Sequence, residues 1–193
     1  MCSSDLKAVQ KVHPENTLPI TILYPVSIRK VMGNSTSLLH QAVFTQYSFL
    51  PSDIATKNEG ELCADLRAHL REFTSPASIK RNAGIIRSLC ESHAKAFEYN
   101  ALDKVCMEQR KNAVVSFEIN YMGQLHAADY GKRIRMAAFH EMPENAVLVR
   151  VTEIGDTFYI DWYQGMPDDA YVRAMRDTLI DMGMKGLCLE RVE

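Results

Sequence analysis

His126 and Asp129 stand in a short polar stretch, His126-Ala127-Ala128-Asp129, and a carboxylate that orients an imidazole is the arrangement general acid–base catalysis uses. The surrounding segment 120–131 reads as a polar loop, and the competing reading, which that composition favours, is a solvated pair with no chemistry. Arg29 is the second residue of interest. It follows Leu18-Pro19-Ile20-Thr21-Ile22-Leu23-Tyr24-Pro25-Val26-Ser27-Ile28, a short apolar run bounded by a proline that reads as a buried strand. An arginine delivered to the rim of such a strand calls for a carboxylate, in the simplest case a local one that caps the strand. His93 lies on the apolar stripe of a helix, where a partly buried histidine with one hydrogen-bonded nitrogen is expected rather than a catalytic group. Ser35-Thr36-Ser37 beside Gly33-Asn34 offers hydroxyls to a phosphate, but no glycine-rich loop opens a helix there, so a polar turn is the expected reading.

Cys2, Cys63, Cys90, Cys106 and Cys188 are odd in number, widely spaced and without a C-x-x-C pair. That pattern argues against a disulfide framework and against a metal site, and predicts reduced structural thiols. A net charge of −2 supplies no electrostatic footprint for nucleic acid. No apolar run approaches the ~20 residues needed to span a bilayer, and the N-terminus lacks the order of a signal peptide. The expectation is a cytoplasmic protein with no nucleic-acid or membrane partner. With 193 residues, 47% apolar and 24% charged, one domain with a substantial core is expected, without an internal boundary.

The elements that would position these residues follow from periodicity. A lead-in helix over 4–12 and a linker to about residue 17 precede the strand at 19–28, and an extended segment at roughly 39–49 ends where Pro51 closes it. Asn58 and Glu61 form a helix start before Leu62, Leu66, Leu70 and Phe73. Ser75-Pro76 opens a second helix whose stripe Ile79, Ala83, Ile86, Cys90, His93 and Phe97 faces inward, while Lys80, Arg81, Arg87, Glu91 and Lys95 face water. The period then changes to two. Strands are predicted at 113–119 and 134–140, and 146–163 reads as a hairpin turning at Gly155-Asp156. A last helix spans about 168–182, with Asp168 and Asp169 at its positive end, Tyr171, Val172, Met175, Leu179 and Met182 facing inward and Gly183 ending it. The order predicts an α/β fold, a two-layer sandwich of a mixed β-sheet with helices mainly on one face.

The strand ending in Arg29 resembles the "PVNLR" strand of the CoA-dependent acyltransferase superfamily, which includes condensation domains of peptide synthetases, alcohol acetyltransferases and chloramphenicol acetyltransferase. Val115-Ser116-Phe117-Glu118-Ile119-Asn120-Tyr121-Met122-Gly123 is similar to that family's "v-S-f-S-N-l-G" strand and turn. The 146–163 hairpin and the helix ending at Met182-Gly183 resemble the elements that follow it. The resemblance runs from about residue 5 to 183 and implies the second, C-terminal lobe of a chloramphenicol-acetyltransferase-like fold.

In that family the first lobe carries the catalytic His-His-x-x-x-Asp motif, and none of His13, His40, His69, His93, His126 or His140 has Asp four residues later. The "Asp-Phe-Gly-Trp-Gly" loop is also missing; Asp129-Tyr130-Gly131-Lys132 echoes it faintly. The resemblance therefore implies a lobe that is inactive alone and names no catalytic residue. It assigns to Arg29 the salt bridge that joins the lobes, and to Ser116, Asn120, Tyr121 and Gly123 the lining of the channel between them. It implies no tightly bound cofactor; coenzyme A or a phosphopantetheine-linked acyl donor would be a substrate. Two readings follow, half of an acyltransferase completed by an N-terminal lobe, or a non-catalytic binding or assembly module that self-associates through the exposed interlobe face. An unrelated α/β enzyme using His126 and Asp129 is the third.

Overall fold

Ile20, Ile22 and Tyr24 are buried and place one face of the run Ile20–Ser27 against a core, and these residues form the first strand, β1. A computed structural model describes residues 2–29, 31, 33, 42–98, 104, 116–124 and 147–188 of the chain. Strand β2 (Ala42–Phe49) pairs antiparallel with β1, Tyr47 opposite Ile22. On the other side β3 (Phe117–Gln124) runs parallel to β1, with Phe117 opposite Ile22. Strand β4 (Val147–Ile154) runs parallel to β3, and β5 (Thr157–Gln164) returns antiparallel to β4. The sheet order is β2-β1-β3-β4-β5, mixed as expected. Gly155 makes the β4–β5 turn with φ +61°, a left-handed conformation that other residues adopt only with strain.

Five helices accompany the sheet among the described residues: α1 (Cys2–Val12), α2 (Pro51–Thr56), α3 (Glu59–Phe73), α4 (Pro76–Glu98) and α5 (Ala170–Asp181). Leu6 and Val9 of α1, Ile54 of α2, Leu62 and Leu66 of α3 and Met175 and Leu179 of α5 join Ile22, Phe117, Ile119, Val147 and Val149 of the sheet in one buried cluster. These four helices thus cover the same sheet face, giving the two layers; each fully buried Leu or Ile contributes about 1.5–3 kcal/mol.

Capping fixes the helix ends. The Asn58 side chain accepts from the Glu61 amide at 3.0 Å, and the Glu61 carboxylate accepts from the Asn58 amide at 2.9 Å, a complete capping box. The Ser78 amide donates to Ser75 Oγ at 3.3 Å, which starts α4 at Pro76. At the end of α5 the Met184 amide donates to the Leu179 carbonyl at 3.0 Å and the Gly183 amide to the Ile180 carbonyl at 2.8 Å, with Gly183 at φ +90°, a Schellman motif. Lys7 of α1 donates through Nζ to the Ile54 carbonyl at 2.5 Å and the Lys57 carbonyl at 3.3 Å, satisfying the C-terminal end of α2.

Several expectations require correction. Pro51 does not only close β2; it opens α2, standing where a helix needs no amide donor. Residues 120–124 are not loop but the second half of β3 (Phe117–Gln124), and residues 113–115 of the predicted strand lie outside the described residues; the polar side chains of 120–124 fit because the outer part of that strand is exposed. The α4 stripe is only partly inward. Ile79 at its start and Ala96 near its end are buried, but Cys90 between them is exposed and Phe97 is 71% exposed. Met182 is likewise exposed rather than inward, since the helix has ended there. The strand predicted at 134–140 lies outside the described residues.

Candidate functional site

Strands β1, β3 and β4 are mutually parallel, so their carboxyl ends lie on one edge of the sheet. In open α/β sheets that edge is where ligands bind, because the connections splay apart there. It holds a cavity of about 610 Å³, bounded by the sheet below and by α3 above, with Met184 from the segment after α5 at its side. Tyr24, Leu66, Ile119 and Val151 are buried and form its floor and back wall. Ser27, Thr74, Tyr121, Phe158 and Met184 are exposed and form its rim. No charged side chain lines it among the described residues.

The rim is held by local bonds. Thr74 Oγ1 donates to the Leu70 carbonyl at 2.7 Å, anchoring the end of α3. Tyr121 Oη donates to Glu153 Oε2 at 3.4 Å, which ties the outer turn of β3 to β4. Just beyond Tyr121 the β3–β4 register shifts by a bulge, and Gly123 follows at φ +79°. Bulges of this kind re-aim side chains at strand ends. Behind the cavity His69 of α3 shares a hydrogen bond of 2.9 Å between its Nε2 and Thr45 Oγ1 of β2, and its ring tilts against Tyr47 at 4.8 Å. This pair locks α3 to the sheet. Nothing in the periodicity of the chain marked His69, since its partner is 24 residues away on an exposed-looking strand.

The residues singled out in the sequence are distributed unevenly. Arg29 lies just past β1, at the same edge as the cavity, and is exposed, with no ion-pair partner among the described residues. Tyr121 is brought to the cavity rim. Asn120 is on the opposite sheet face, in register with Arg150. Ser116 sits at the amino end of β3, where its amide donates to the Thr21 carbonyl at 2.8 Å and its Oγ accepts from the Thr21 amide at 3.2 Å. That bond pair fixes the β1–β3 register. Gly123 serves the bulge. His126 and Asp129 lie outside the described residues, and His93 is half-buried on α4.

The most perturbed acid is far from this edge. Asp5, in the first turns of α1, is completely buried with Ser3 and Ser4, and neither carboxyl oxygen has a hydrogen-bond partner among the described residues. Loss of hydration pushes its pKa up from 3.8 to about 7. No group of His, Cys, Asp and Glu suited to a metal ion occurs among the described residues, and none of their helices is long and apolar enough to cross a membrane. No family model, curated protein or solved structure matches this chain.

Proposed function

We propose that this chain is the C-terminal lobe of a CoA- or carrier-protein-dependent acyltransferase, silent alone and completed by a second lobe that brings the His-His-x-x-x-Asp motif. The observation that carries the reading is Arg29: it leaves the end of a central strand, exposed and without a carboxylate among the described residues. An arginine so placed suits an acid supplied from outside. Deprotonating the acceptor hydroxyl or amine needs a base positioned near working pH, and the incoming lobe would provide it. This lobe would contribute the carboxyl edge of β1, β3 and β4 as one wall of the donor site, where the thioester of coenzyme A or a phosphopantetheine arm is substrate.

The test is reconstitution. Mixing the chain with an N-terminal lobe carrying the histidine motif should give a complex and acyl transfer, and Arg29→Glu should abolish complex formation; neither binding nor turnover with the unaltered chain would reject the reading. A second reading is favoured by Ile85, Leu89 and Phe97, which are 54%, 44% and 71% exposed on α4. A non-catalytic module would bury such a stripe by self-association. A monomer in sedimentation velocity at high concentration would count against it.

A further inference from the structure

Half of what α1 buries is polar. Ser3, Ser4 and Asp5 lie with Leu6 in one enclosed turn, and of the residues that follow only Ala8 and Val9 are buried. Four consecutive residues cover the whole circumference of a helix, so water is kept from every side of that turn. Burial of an apolar face is what holds a helix to its neighbours. By that measure α1 is weakly held, by three apolar side chains where β4 alone buries five.

The attachments of α1 are to other helices. Lys7 Nζ donates to the Ile54 and Lys57 carbonyls at the end of α2, Cys63 Sγ of α3 donates to Ser3 Oγ at 3.8 Å, Lys11 pairs with Asp181 of α5 at 2.9 Å, and the His13 ring lies 5.6 Å from that of Tyr171. Residues 13–19, which join α1 to β1, are mostly exposed. Their hydrogen bonds either continue α1, as from the His13 amide to the Val9 carbonyl, or stay within the linker, as between Asn16 and both His13 and Leu18. The helix can therefore leave without breaking a rung of the sheet.

Asp5 decides when. Its carboxyl is completely buried, and neither oxygen has a hydrogen-bond partner among the described residues. The ionisable groups that α2, α3 and α5 bring to this interface are Lys57, engaged with Asp53 and Asp65, the Cys63 thiol, Tyr171 and Asp181. None of them acts on the carboxyl; the one charge that does, the amino terminus, lowers its pKa less than burial raises it. A carboxylate in that position regains water when α1 leaves the layer. A terminal unit with a self-contained linker and few apolar contacts is where such an opening costs least.

We infer that α1 is a pH-released strap: when Asp5 gives up its proton to solvent, the helix detaches as a unit from α2, α3 and α5 and uncovers the faces that Leu6, Ala8 and Val9 cover, while the sheet stays folded. The inference uses no residue of the candidate site and holds whether or not a second lobe completes an acyltransferase.

Hydrogen exchange of the full chain, read by mass spectrometry between pH 5 and 8 and corrected for the pH dependence of the chemical step, tests this. With the carboxyl at 3.8 when open and about 7 when docked, the opening constant of the amides of residues 7–12 should rise roughly a hundred-fold over that range. At pH 8 the amides of β4 should keep opening constants at least about ten-fold below those of α1, which marks the opening as local. In Asp5→Asn the rise should vanish. Should that variant fail to fold by circular dichroism, Asp5→Ala, smaller and unable to ionise, takes its place. A rise that persists in a folded variant would come from another group, His13 or the amino terminus included, and would overturn the proposal. So would α1 and β4 opening with the same constant, or protection of α1 in the unaltered chain that does not change with pH.

Discussion

Replacing Asp5 with Asn removes a group whose charged form is deprived of water by burial. The carboxyl is completely buried without a hydrogen-bond partner among the described residues, and its pKa rises from 3.8 to about 7. Because the folded-state value lies above the unfolded one, the folded chain holds the proton more tightly, and stability falls as pH rises from 3.8. The loss is complete once pH passes about 7. At ~1.36 kcal/mol per unit, the cost is about 2 kcal/mol at pH 5 and about 4 kcal/mol at pH 8. Asp5→Asn keeps the shape and cannot ionise, and its buried amide carries a desolvation cost similar to that of the neutral acid. Urea unfolding of both proteins between pH 4.5 and 8.5 should therefore give midpoints that differ least at the acid end, by about 1 kcal/mol or roughly 0.4 M. The variant should gain steadily with pH, to a midpoint shift on the order of 1.5–2 M for a urea slope of ~2–3 kcal/mol/M. A difference between the two proteins that does not change with pH would refute the reasoning, because it would mean that the carboxyl is solvated or paired and not raised.

Three further outcomes are expected. Asn58→Ala removes one half of the capping box and should lower stability by about 1 kcal/mol, read as a fall of roughly 2–4 °C in Tm; no change would mean that α3 is held by packing alone. Gly155→Val places a β-branched side chain at φ +61° and should cost about 1–2 kcal/mol or more in thermal unfolding, whereas a neutral result would require a different turn. Ile85→Asp with Leu89→Asp alters exposed positions and should leave Tm within a few degrees while reducing self-association in sedimentation velocity. A large loss of Tm instead would show the stripe to be part of the core.

Much of the fold is legible locally. The capping box at Asn58 and Glu61, the Ser75-Pro76 start, the Gly155 turn and the Gly183 stop are each decided within a few residues, because the competing conformations differ in hydrogen bonds that near neighbours make or fail to make. The mixed sheet follows from the same information, since a hairpin at one end and a long helical crossing between β2 and β3 leave few ways to pair the strands. In α4, where the stripe residues Cys90 and Phe97 are exposed between and beside the buried Ile79 and Ala96, periodicity alone overstates burial.

Residue type and order by themselves determined that Arg29 ends a buried strand and that Tyr121 lies near the end of another. Only the tertiary structure decided that both reach the same sheet edge, because parallel pairing of β1 and β3 joins segments between which β2, α2, α3 and α4 lie in the chain. The same holds for the cavity, whose walls come from four strands, α3 and Met184 and whose volume belongs to none of them. It holds for Asp5 as well. An acidic residue in the first turns of a helix reads as a favourable dipole contact, and its burial becomes visible only when α2, α3 and α5 close around α1, since desolvation depends on what surrounds a charge and not on its neighbours along the chain.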